Sequence, residues 1–102
     1  MPVVEITRHA VDDLDTLIRT HSLPQDTRSR VRRSLQPLAA FPRLGQTLQG
    51  AWLNFRFVLG PWRWMLIIYE HLEEEDRVVV VAIHDARSSA AATAGPRRQP
   101  NA

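Results

Sequence analysis

Cysteine and lysine are both missing from this chain of 102 residues. Without cysteine there are no disulfides and no thiolate metal sites. Without lysine, all thirteen cationic side chains are arginines. Arginine is always charged and therefore a poor proton shuttle. Long apolar runs are missing too, and none approaches the roughly 20 residues of a membrane span. The N-terminal residues lack a signal-peptide pattern, so a cytoplasmic location is expected. Only four glycines occur. No phosphate-cradling glycine loop and no metal-ligand spacing is present, so no cofactor and no metal are inferred.

What is there suits a soluble globular chain of one domain. Hydrophobic residues make up 44% and charged residues 24%, both ordinary values. Net charge is only +2, but it is unevenly spread. Residues 1–27 carry five carboxylates against two arginines. Residues 28–63 carry seven arginines and no carboxylate. Residues 64–76 then hold Glu70, Glu73, Glu74, Glu75 and Asp76 with no arginine. The carboxylate-free stretch reads either as a basic face for nucleic acid or an acidic partner, or as a set of solvated helix arginines.

The pattern of elements is β-α-α-β-β-β. Val3–Thr7 reads as a short strand. A helix follows over Arg8–Thr20, with Ala10, Leu14, Leu17 and Ile18 at helical spacing and Thr7 as its N-cap. A second helix is predicted over Gln25–Ala40, with Val31, Leu35 and Leu38 on one face and a kink or break near Gln36 imposed by Pro37. Ala51–Leu59 and Trp62–His71 read as a hairpin around Gly60-Pro61. Arg77–His84 is rich in β-branched residues and apolar without interruption, which predicts a central strand covered on both faces. Residues 88–102 show no periodic core and read as a disordered tail beyond a domain of residues 1–87. The fold class is therefore α+β: two helices on one face of a small, mostly antiparallel four-stranded sheet, whose other face is partly open.

Strand parity sorts the side chains. In the third strand Arg63, Met65, Ile67, Tyr69 and His71 share one face, and Trp62, Trp64, Leu66, Ile68 and Glu70 the other. In the last strand Asp85 and Arg87 share a face while His84 points away, unless a bulge intervenes. Asp85 is then placed to neutralise Arg87 or Arg63. Trp62 and Trp64 read as packing residues before base-stacking ones.

Five segments in order resemble the RelE/ParE superfamily of toxins from bacterial toxin–antitoxin pairs. They are the opening strand and helix, VEITRHAVDDLDTLI; the helix exit Leu38-Ala39-Ala40-Phe41-Pro42-Arg43-Leu44-Gly45; Leu48-Gln49-Gly50 followed by Arg56; the strand Gly60-Pro61-Trp62-Arg63-Trp64-Met65-Leu66-Ile67-Ile68-Tyr69; and the closing Ile83-His84-Asp85-Ala86-Arg87. The likeness covers about residues 3–89. It implies a toxin held by a cognate antitoxin, with one of two targets: messenger RNA on the ribosome, which is cleaved without metal, or DNA gyrase, which is poisoned. An inactive member that only binds its antitoxin is a further possibility.

Metal-free RNA cleavage needs a base, cations to stabilise a phosphorane, and an acid. Arg56, Arg63 and Arg87 match the family's cationic positions. They are expected to gather on the uncovered face of the sheet. Ion pairs that close the sheet are the structural alternative. The proton-transfer candidates are His84, His71, Tyr69 and Glu70. They form no complete set, which tilts the reading toward a gyrase-directed, non-catalytic toxin.

Overall fold

The computed structural model describes residues 1–87. Val3–Ile6 forms strand β1. Thr7 then starts helix α1, Arg8–Thr20: its Oγ1 accepts the Ala10 N–H at 3.1 Å. That bond satisfies one of the free donors of the first turn. Ala10, Leu14 and Leu17 lie on the buried side of α1. Helix α2, Thr27–Leu35, starts two residues later than predicted. The delay arises at Pro24, whose carbonyl accepts both the Thr27 N–H and the Thr27 hydroxyl and so closes a turn first. Helix α2 ends before Pro37, and Pro37–Ala40 forms the single-turn helix α3. Proline has no N–H to continue a helix but suits the first turn of a new one.

The chain beyond α3 departs most from expectation. Gln46–Thr47 forms a two-residue strand β2, so the sheet has five strands rather than four. A strand this short carries no periodic signal, which is why the sequence hides it. Gly50–Trp52 is a 3-10 turn, not the start of a strand. Gly50 and Asn54 both take positive φ there, conformations that glycine and asparagine tolerate best. Strand β3 is therefore only Arg56–Leu59, and β4 is Met65–Leu72. Strand β5 spans Arg77–Asp85.

The strand order is β1-β5-β4-β3-β2. Strand β1 runs parallel to β5 and the other pairs are antiparallel. Arg77 forks onto both carboxylate oxygens of Glu5 at 2.9 Å and ties β1 to β5. The helices cover one face of the sheet. Leu14, Leu17, Val31, Leu35 and Leu38 pack there against Met65, Ile67, Tyr69, Val78, Val80 and Ile83.

The opposite face is less open than expected. Trp52 and Phe55 cover Ile68 and Ala82, with Leu48, Phe57 and Val81 at the margin. The buried Trp52 Nε1 has no hydrogen-bond partner among the described residues. These two clusters explain the apolar run of β5, which is buried on both sides. Ile68 pairs with Ala82 and Tyr69 with Val80, so Val81 is a bulge. The bulge lies upstream of His84, Asp85 and Arg87 and leaves their relative parity intact. No helix among the described residues is long and apolar enough to cross a membrane.

Candidate functional site

Tyr69 is fully buried, and its hydroxyl sits between two backbone groups. It donates to the Pro42 carbonyl at 2.7 Å and accepts the Gly45 N–H at 2.9 Å. Gly45 approaches so closely that a Cβ there would lie 2.6 Å from the Phe57 carbonyl oxygen and 2.8 Å from the tyrosine. Only glycine fits this contact. Burial pushes the Tyr69 pKa up, against smaller opposing effects of the Gly45 N–H and the Arg56 charge. The hydroxyl thus holds the loop that enters β2.

Arg56 serves the same loop. It registers with Tyr69 across β3 and β4 and shares its helix-side face. Its Nη1 donates to the Gly45 carbonyl at 2.9 Å and to the Arg43 carbonyl at 3.3 Å. Two surface depressions, of about 430 and 560 Å³, flank His71 at this end of the sheet. Arg43 lines both and is ion-paired with Glu73.

Arg63 and Arg87 sit at the other end. Four rungs separate Tyr69 from Met65, about 13 Å along the strand. Arg63 lies in the turn between β3 and β4, exposed and without an ion pair among the described residues. Arg87 follows β5 and turns back onto Asp85. Its Nε and Nη2 each reach a carboxylate oxygen at 3.0 Å, and its backbone N–H donates at 2.9 Å. Asp85 also lies 3.0 Å from His21 Nε2. The Arg87 guanidinium, aided by His21 and opposed by desolvation, holds the Asp85 carboxyl well below the usual range.

The expected gathering of Arg56, Arg63 and Arg87 on the uncovered face is therefore not found. Arg56 faces the helices, Arg63 leaves the sheet in a turn, and Asp85 draws Arg87 toward the end of α1. His84 lies on the opposite face from Asp85. It pairs with Leu66, and its ring meets Trp52 edge-on at 5.7 Å. His84 and Arg87 do not converge, as parity predicts. Glu70 pairs with Val79 on the His84 side of the sheet, and His71 with Val78 on the helix side.

Parity fails for the tryptophans. Trp62 and Trp64 pack against the same helix-side cluster as Met65 instead of opposite it. The reason is that residues 60–64 form a loop: Gly60 N–H reaches the Met65 carbonyl, and Met65 N–H reaches that of Trp62. Trp64 stacks on His21 at 4.6 Å and 14°, and on Trp62 at 6.1 Å and 22°. Arg87 lies 5.0 Å over Trp64, and Arg30 lies 5.7 Å over Trp62. His21 was not singled out in the sequence. It sits just past the end of α1, and only the crossing of α1 over β5 brings it to Asp85.

Three of the seven arginines in residues 28–63 are ion-paired. Arg28 meets Asp15, Arg30 meets Asp26, and Arg43 meets Glu73. Arg32 and Arg33 are exposed, with no ion pair among the described residues. The uneven charge along the sequence is thus partly evened out in space.

This architecture is shared with solved toxin structures. An intact RelBE toxin–antitoxin complex from Escherichia coli contains a chain that superposes with a TM-score of 0.62 at 12% identity, covering 86% of this chain and 100% of that one. The RelBE2 toxin–antitoxin complex from Mycobacterium tuberculosis gives 0.63 at 22% identity, covering 83% and 99%. A mutant E. coli RelE in complex with a peptide of its antitoxin gives 0.64 at 16% identity, covering 96% and 98%. The fold is therefore that of RelE-type toxins. Among curated proteins, none matches the sequence. Residues 4–89 match the ParE toxin of the type II toxin–antitoxin system parDE, and the chain belongs to that family.

Proposed function

We propose that this toxin arrests growth by binding DNA gyrase, without cutting RNA, and that a cognate antitoxin neutralises it. The carrying observation is that, among the described residues, the proton-transfer candidates His84, His71, Tyr69 and Glu70 and the arginines Arg56, Arg63 and Arg87 are divided between the two faces and the two ends of the sheet. The Tyr69 hydroxyl is held between Pro42 and Gly45. Arg56 is tied to backbone carbonyls and Arg87 to Asp85. His84 lies across the sheet from Arg87. Metal-free RNA cleavage requires such groups around one phosphate, whereas inhibition by binding requires only a shaped, charged surface. Membership of the ParE family points the same way. The antitoxin partner is supported by structural neighbours that are themselves toxin–antitoxin complexes.

The test is a gyrase supercoiling assay with the purified chain, alongside mapping of mRNA ends after induction in cells. Inhibited supercoiling with intact mRNA is the expected result. Discrete mRNA cuts that vanish on replacing Arg63 or Arg87 would establish the ribonuclease reading instead. Induction without growth arrest would leave only an antitoxin-binding module.

A further inference from the structure

The end of the sheet away from Arg63 and Arg87 presents an apolar patch to solvent. Phe41 and Leu44 are 65% and 56% exposed. Both line the depression of about 560 Å³, together with Ala40, Pro42, Arg43 and His71. Contiguous exposed apolar surface beside a groove marks an interaction site. We propose that its occupant is a second copy of this chain, and that two toxin molecules pair weakly through it about a two-fold axis. This goes beyond the gyrase-directed reading and does not depend on it.

Three observations carry the assignment. The first is charge. Arg43 lines the apolar depression and pairs with Glu73, and both side chains are exposed. An ion pair this exposed contributes little within its own chain, so exchanging its partners costs little. Across a two-fold axis, Arg43 of each copy meets Glu73 of the other. The patch thus carries both signs of charge and is complementary to itself. Other occupants fit less well. A phosphate backbone would meet Glu73, Glu74 and Glu75 beside His71, and a segment of one charge sign finds no surplus of the other.

The second is shape. A two-fold contact needs a surface that fits itself, with one residue meeting another and the reverse pair meeting across the axis. Here an exposed phenyl ring stands at a depression with room for a second ring. Phe41 of each copy can therefore enter the depression of the other.

The third is order. The loop that carries Phe41 and Leu44 is pinned by the Tyr69 hydroxyl at Pro42 and Gly45, and by Arg56 at the Arg43 and Gly45 carbonyls. Little backbone freedom remains to be lost on pairing. The patch is small, however, against the roughly 800 Å² per copy of a standard interface. A weak dimer follows, with Kd on the order of 100 μM.

The test is sedimentation equilibrium of the purified full-length toxin at loadings from about 10 to about 500 μM, which bracket that Kd. The variants are Phe41→Ser, Arg43→Glu and Glu73→Arg. All three side chains are exposed, so the variants should fold, and a urea midpoint close to that of the unaltered toxin checks this. Each variant alone should weaken association about tenfold. An equal mixture of the Arg43→Glu and Glu73→Arg variants should recover it. Either charge variant alone sets like charges against each other across the axis, whereas the mixture makes every such pair opposite in sign. A mixture that associates no better than its components would overturn the two-fold pairing, as would dimers that persist unchanged in Phe41→Ser. A toxin that stays monomeric over the whole range would overturn the proposal and leave the gyrase-directed reading standing. Gyrase inhibition lost in Phe41→Ser, with the monomer–dimer equilibrium unchanged, would assign the patch to the target and overturn self-association.

Discussion

Replacing Tyr69 by phenylalanine removes one oxygen and keeps the ring. That oxygen serves two backbone groups, the Pro42 carbonyl and the Gly45 N–H, in a fully buried position. A buried group left without its partner costs about 1–3 kcal/mol. Two groups are affected, but they share one hydroxyl and one loop, so a loss of about 2–4 kcal/mol is expected rather than the full combination. Small domains are stable by only about 5–15 kcal/mol in total. The variant should therefore lose roughly 10–25 °C in Tm. Urea unfolding is the direct measurement: the midpoint should fall while the slope stays constant, since the surface exposed on unfolding is the same. A second reading comes from pH. The buried phenol has a raised pKa, so it stays protonated in the folded state after the unfolded chain begins to ionise near pH 10. Its contribution is complete below that pH and is lost as pH rises through the folded value. This is the only tyrosine in the chain, so absorbance titration reports on it alone. A stability loss below about 0.5 kcal/mol, or the same alkaline slope in the phenylalanine variant, would refute the claim that this hydroxyl holds the loop.

Other expectations follow from the same geometry. Arg56→Ala should cost about 1.5–3 kcal/mol, the range for a charged hydrogen-bond donor, and Arg56→Lys should recover part of it. Toxicity in cells should fall only as far as the urea midpoint does, and toxicity lost at an unchanged midpoint would place Arg56 in a target contact instead. Asp85 ionises more easily in the folded state, chiefly because Arg87 grips it. Its stabilisation is therefore present above the ordinary carboxylate pKa near 4 and is lost as pH falls below it. Asp85→Asn should flatten that acid limb in pH-dependent urea unfolding. Thr7→Ala should cost about 1 kcal/mol by uncapping α1, measured by the same unfolding assay.

Where the sequence was legible, local chemistry and tertiary packing agreed. Thr7 caps α1 because a threonine before an amphipathic run has one good use. Pro37 stops α2 because it has no N–H to offer. The apolar run of β5 marked a strand buried on both sides, and the structure supplies the two clusters that bury it. The hairpin was harder to read. Gly50 and Asn54 take Ala51–Phe55 out of the strand ladder and lay Trp52 and Phe55 over the sheet face, and the aromatic residues there suggested strand because rings suit either environment. Parity held where a strand was real, separating His84 from Asp85. It failed at Trp62 and Trp64, where the strand had not yet begun. The site was the least legible part. Arg56, Arg63 and Arg87 could be named from sequence, but their partners could not. Backbone carbonyls 11 and 13 residues upstream of Arg56 leave no trace in composition. The meeting of His21 with Asp85 spans 64 residues and depends on how α1 crosses the sheet.

The parallel pairing of Val3–Ile6 with Arg77–Val80 has a consequence for when the molecule becomes active. The first strand to leave the ribosome has no neighbour until the last described strand has been made. Non-local pairing of this kind is slow because the intervening chain must be ordered before it is rewarded. A nascent or prematurely terminated product therefore lacks a closed sheet and the ends of β5 that shape Asp85 and Arg87. Whatever the folded toxin does therefore waits until β5 has left the ribosome.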